Sequence, residues 1–239
     1  MDNLNIESTN IPSKQEIKKK RVIRFFIDAA KQIIEKEGIE KVTIYSVSDL
    51  AGYSSASLYN YFQNIDELIG ITATELVQPY VREYINIYKS DGDSLDKYIR
   101  SWICLLKYSL SNPELYFYMY TSDGADLIAQ YAKKYYKLFP LEDDIPSEIL
   151  SIHILQNNAA EQEEDSISYS VKDGFFSAES ATEIWEYGYI LYKGILADRN
   201  SKNPFIKDDK IYISMFVKRF IGFIKEKLEK DKDLSEFLI

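Results

Sequence analysis

At 239 residues, with 46% hydrophobic and 28% charged side chains, the chain can form one large domain or two modest ones and is too apolar to be disordered. Nine glycines and six prolines are few for a sandwich or barrel with many turns. A formal net charge of −9 excludes nucleic-acid binding over the whole surface, so any such contact must be local.

The lone cysteine, Cys104, permits no internal disulfide and no cysteine-rich zinc site, which fits a reducing compartment. Residues 1–10 lack the basic-then-apolar order of a signal peptide. No apolar run approaches the roughly 18 residues that span a bilayer. A soluble cytoplasmic protein without membrane partners is expected.

Residues 1–13 read as a flexible tail. A basic stretch follows (Lys14, Lys18, Lys19, Lys20, Arg21, Arg24) and merges into Val22/Ile23, Phe26/Ile27, Ala30 and Ile33/Ile34, the spacing of an amphipathic helix that Gly38 ends. Thr43 caps a second helix with Ile44, Val47, Leu50 and Ala51 at helical spacing. Gly52-Tyr53 interrupts, and Ser54 caps a third helix that turns Leu58 and Phe62 inward. Asn64 and Glu67 open a fourth helix in the manner of a capping box, and Pro79 must kink or split it. Asp91-Gly92-Asp93 is a turn. Leu95, Tyr98/Ile99, Trp102, Leu105/Leu106 and Leu110 define the next helix, and Pro113 suits the first position of another. A further helix covers about 125–139. Within the acidic stretch 140–180, Ile167, Tyr169 and Val171 alternate with polar residues and read as a strand before a turn at Asp173-Gly174. Two long helices, about 179–198 and 208–229, complete an all-α chain.

Three helices with a glycine turn between the second and third make a helix-turn-helix, whose third helix can lie in the major groove. The run Thr43–Phe62, TIYSVSDLAGYSSASLYNYF, together with Asp28-Ala29-Ala30, Glu37-Gly38 and Asp66-Glu67-Leu68, resembles the signature of the TetR/AcrR regulators over roughly residues 20–70. The resemblance implies a DNA-binding domain over 14–64 and a helical ligand-binding and dimerisation domain over 65–239. It implies that Thr43 and Ser57 bond phosphates and that Tyr59 and Tyr61 place hydroxyls on the backbone. Ser55, Ala56 and Asn60 would face base edges, and Ser54 fits either a cap or a contact. Two departures stand out. The family often has a basic residue where Ser55 stands and a lysine where Ile65 stands, and this chain has no Lys or Arg between Lys41 and Arg82. Residues 1–70 hold nine basic and ten acidic side chains, so the head is near neutral. The run Lys18 to Arg24 either compensates or is a solvated helix start.

The resemblance further implies a small-molecule effector and a homodimer through the last two helices, where Gly188 and Gly194 would allow close approach. Trp102, Tyr116, Tyr118, Tyr120, Trp185, Tyr189 and Tyr192 suit a pocket for an apolar or cationic aromatic ligand, and individually also suit core packing. A two-fold dimer sets its heads about one DNA turn, roughly 34–36 Å, or a multiple apart, and calls for a palindromic operator. Nothing points to catalysis, a cofactor or a metal. The single histidine, His153, has no partner pattern, Cys104 reads as a buried small hydrophobe, and no phosphate loop occurs. The alternative is a relative with weak or no DNA binding that acts through a protein partner, favoured by the missing Lys and Arg on the third helix.

Overall fold

The computed structural model describes residues 13–121, 125–140 and 159–238. Residues 1–12 of the expected tail (1–13), His153 and much of the 140–180 stretch lie outside the described residues, while Ser13 belongs to the first helix as its cap. The described residues are helical throughout, apart from turns and short 3-10 segments. The chain divides into two compact units between Thr72 and Ala73.

In the first unit, α1 (Lys14–Glu37) begins at Ser13, whose hydroxyl accepts from the Glu16 N–H while Glu16 accepts from the Ser13 N–H, a reciprocal capping box. Gly38, at φ 95°, ends it. The buried face of α1 runs from Val22 to Ile34, so its first two turns stand clear of the core. Thr43 caps α2 (Ile44–Ala51), which ends at Gly52 with φ 72°. Only glycine takes that left-handed conformation without strain, and there its N–H closes on the Asp49 and Ser48 carbonyls. Ser54 caps α3 (Ser55–Tyr59), and Leu58 and Phe62 are buried as expected. Leu50 departs from its expected inward place and is 46% exposed. Ser48, one turn after Ile44, takes the buried position beside Val47.

The fourth helix, α4 (Ile65–Leu76), starts with the Glu67 N–H on Asn64 and the Glu67 carboxylate on the Gln63 N–H. It breaks at Val77, and α5 (Gln78–Lys89) restarts with Pro79 in its first turn. The proline therefore splits the helix, because it can satisfy a first turn and not an interior.

In the second unit, α6 (Ser94–Ser111) is the hub. It packs against α5, α7 (Pro113–Thr121), α9 (Ala159–Lys172), α10 (Ala178–Arg199) and α11 (Asp209–Lys227). The remaining helix is α8 (Ala125–Leu138). Helix α9 replaces the expected strand at Ile167–Val171. Its buried positions are Ser166, Ile167 and Ser170, a three-to-four spacing carried by serines and thus hidden from a count of apolar residues. The turn at Asp173-Gly174 is present, with Gly174 at φ 78°. After α11 the chain doubles back. The Glu229 N–H bonds the Phe175 carbonyl, Lys232 bonds Asp93 and Asp96, and Leu234 and Phe237 are buried.

Candidate nucleic-acid interface

Phe26 organises the recognition unit. It is fully buried on α1, and its ring meets Tyr53 before α3 at 5.2 Å, and Tyr61 and Phe62 after it at 6.1 and 6.0 Å. One side chain thus grips both ends of a five-residue helix too short to be stable alone. Leu58 pins its middle.

What α3 leaves outward is polar. Ser54, Ser55, Ala56 and Asn60 are exposed, and Tyr59 is 54% exposed. Ser57 is half-buried, its hydroxyl 2.9 Å from that of Ser54, whose oxygen also accepts the Ser57 N–H. Tyr61 is half-buried against Phe26. Thr43 is exposed at the start of α2, with its hydroxyl accepting from the Ser46 N–H at 3.0 Å. The eight residues singled out from the sequence therefore flank the two helix starts and the α3 surface. The hydroxyls of Thr43, Ser54 and Ser57 are already engaged in hydrogen bonds at the helix starts. Tyr45, on the outer face of α2 and 77% exposed, escaped the sequence reading. The signal was there, because it falls outside the Ile44–Val47–Ala51 stripe.

In the second unit the aromatics named for a ligand fall into three groups. Trp102 is fully buried, its ring among Tyr98, Tyr192, Phe216 and Phe220, and among the described residues its buried indole N–H has no hydrogen-bond partner. Tyr116 packs on Tyr80, which also meets Tyr84 and Tyr108. Trp185 and Tyr189 stack on each other at 5.6 Å. Tyr118 is half-buried, and the Tyr120 side chain lies outside the described residues. Tyr192 bonds Ser109 at 2.8 Å. Burial, reinforced by a hydrogen bond to Glu83, pushes the Tyr108 hydroxyl up to about 12, and burial with Asp198 does the same for Tyr212. Both tyrosines are thus proton donors at any physiological pH.

The last two helices present an open groove of about 730 Å³, lined by Tyr187, Ile211, Met215 and Phe223 with Lys210, Lys218 and Arg219. Ile190, three residues after Tyr187 on α10, is 71% exposed. A side chain at Gly194 or Gly222 would meet nothing, whereas Gly188 is spent inside the chain, against Phe220 and Trp102.

Residues 26–70 match the profile of bacterial regulatory proteins of the tetR family. The match covers the helix-turn-helix head, which resembles that of TetR-family regulators. No curated protein matches the chain. Among solved structures, RolR in complex with resorcinol superposes with a TM-score of 0.55 at 13% identity, covering 90% of this chain and 98% of its own. Thermus thermophilus FadR, a TetR-family repressor in complex with lauroyl-CoA, gives 0.53 at 10% identity, covering 89% and 97%. RolR without ligand gives 0.52 at 14% identity over 84% and 93%. At these identities the likeness is one of fold, and it covers the helical body as well as the head. Among the described residues no cluster could hold a metal, and no helix is long and apolar enough to cross a membrane.

Proposed function

We propose that the chain is a dimeric, cytoplasmic transcription repressor that binds a palindromic operator through residues 14–64 and is released by a small molecule bound within 65–239. The observation that carries this reading is the α3 surface, where Ser55, Ala56, Tyr59 and Asn60 are all exposed above a single buried anchor, Leu58. Asn60 is suited to adenine, Ala56 to a thymine methyl, and Ser57, Tyr59, Tyr61 and Thr43 to phosphates. Ser54 serves the α3 start first as its cap.

The effector site would draw on the body's separate aromatic clusters, those of Trp102, of Tyr116 and of Trp185 with Tyr189, together with Tyr120. A mostly aromatic lining favours an apolar or cationic aromatic ligand. That RolR holds resorcinol and FadR holds lauroyl-CoA supports a body of this architecture taking a small molecule. The exposed Ile190, Ile211 and the α10–α11 groove support a two-fold partner on that face. Release follows if the ligand prefers the conformation that DNA disfavours.

The test is binding to the protein's own promoter-region duplex against a scrambled duplex across a salt series, with Tyr59→Phe and Asn60→Ala alongside. Preference for the promoter, weakened by both changes, supports the repressor. The absence of basic residues on α2 and α3 favours a second reading, a co-regulator acting through a protein partner. Equal binding to both duplexes at low salt would select it.

A further inference from the structure

The recognition helices carry no Lys or Arg, yet affinity for a duplex comes largely from neutralising phosphates. We infer that the overhanging start of α1 supplies this charge, through a stripe of Lys14, Lys18 and Arg21 that grips the DNA backbone beside the recognition helix. The inference rests on the DNA-binding reading above and names residues that reading does not use.

Three observations carry it. Every residue from Lys14 to Arg21 is exposed, and the first buried position is Val22, so about 12 Å of helix projects past the core at roughly 1.5 Å per residue. Lys14, Lys18 and Arg21 stand at i, i+4 and i+7, and the next position on the same face, i+11, is Phe25. Phe25 is 54% exposed and its ring lies 6.2 Å from Tyr53, the residue before the Ser54 cap of α3. The basic stripe thus continues the face that meets the start of the recognition helix, whereas Lys19 lies off it. None of the three cations is ion-paired among the described residues, and the neighbouring Glu16 is committed to the Ser13 cap. Three uncompensated cations on one rigid face suit a row of phosphates, and the preformed helix places them without the cost of ordering their backbone.

The full chain is titrated with its promoter-region duplex and with a scrambled duplex of equal length, from low to moderate salt. Lys14→Gln/Lys18→Gln/Arg21→Gln is compared with a control that loses the same charge elsewhere on α1, Lys19→Gln/Lys31→Gln/Lys36→Gln. Circular dichroism and melting temperature confirm that both fold. Each lost phosphate contact lowers the slope of log K against log salt by about 0.9, so the stripe variant should lose about 2.7 per head and the control far less. If the wild type prefers its promoter and the stripe variant keeps its slope, or the control loses as much, the inference is overturned and the repressor reading stands. If the wild type shows no preference but the stripe variant still flattens the slope, the stripe is upheld and the operator reading falls. Binding to neither duplex at low salt would overturn both.

Discussion

The rings of Phe26 and Phe62 meet edge to face, 6.0 Å apart with their planes at 89°. This contact joins the long first helix to the residue that closes the helix-turn-helix, and Phe26 touches Tyr53 and Tyr61 as well. The short α3 is held where it is by α1, more than by its own backbone bonds. The exposed polar surface of α3 is therefore as rigid as the aromatic cluster beneath it.

Phe26→Ala should remove that support. Replacing a fully buried phenylalanine costs about 3–5 kcal/mol, and the loss should fall on the head. Denaturant unfolding of the full chain should show a lower first transition, with promoter binding lost in step. A variant within about 1 kcal/mol of wild type would contradict the role given to Phe26.

Ser48 offers the opposite sign. It is 3% exposed on the inner face of α2, and its hydroxyl has no hydrogen-bond partner among the described residues. Leaving a buried hydroxyl unpaired costs free energy that alanine does not incur. Ser48→Ala should leave the urea midpoint unchanged or raise stability by about 1 kcal/mol. A clear loss would mean that the hydroxyl has a partner, such as a bound water.

Two glycines on α10 should part company. A Cβ at Gly188 would stand 2.8 Å from the Phe220 ring and 3.2 Å from that of Trp102, so Gly188→Ala should destabilise by about 1–3 kcal/mol. Gly194 faces open space, and Gly194→Ala should gain up to about 1 kcal/mol in helix propensity within one chain. Sedimentation of Gly194→Ala adds a second reading. A weaker dimer with a more stable chain would put Gly194 against the partner, while an unchanged dimer would put the contact elsewhere on the face.

The helix boundaries were legible because each rests on a local device: Ser13, Thr43 and Ser54 as caps, Gly38 and Gly52 as stops, Pro79 and Pro113 as first-turn residues. The recognition unit was legible for the same reason, its residues lying within twenty positions of one another. What was not legible depends on neighbours far along the chain. Helix α9 hides its buried face in Ser166 and Ser170, which only close packing against α6 and α10 makes into core. Leu50 and Tyr45 are exposed despite their apolar bulk, because α2 turns Val47 and Ser48 toward α1. The aromatics of the body were countable, but no spacing says which of them, Trp102 or Tyr116 or Trp185, share a wall. Among the described ring contacts, Tyr116 meets Tyr80, Trp102 meets Phe216, and Trp185 meets Tyr189.

The returning C-terminal segment gives a prediction in pH. Lys232 bonds both Asp93 and Asp96, the latter at 2.8 Å, tying the end of the chain to the start of α6. Burial alone would raise the Asp93 carboxyl, but the hydrogen bond and charge of Lys232 outweigh it and hold the group below its usual value. Burial would likewise lower Lys232, and its two carboxylate partners instead raise it. A depressed carboxylate stabilises the fold above its unfolded pKa, about 3.9, and loses that contribution as pH falls through its folded value. A raised lysine stabilises below its unfolded pKa, about 10.4, and loses its contribution as pH rises through the folded value. The melting-temperature advantage of wild type over Lys232→Met should therefore be flat from about pH 5 to 9 and shrink on both sides of that window. An advantage that persists undiminished to pH 2 would assign the effect to the packing of the Lys232 stem on Phe175, which the ammonium overlies at 5.6 Å, rather than to its charge.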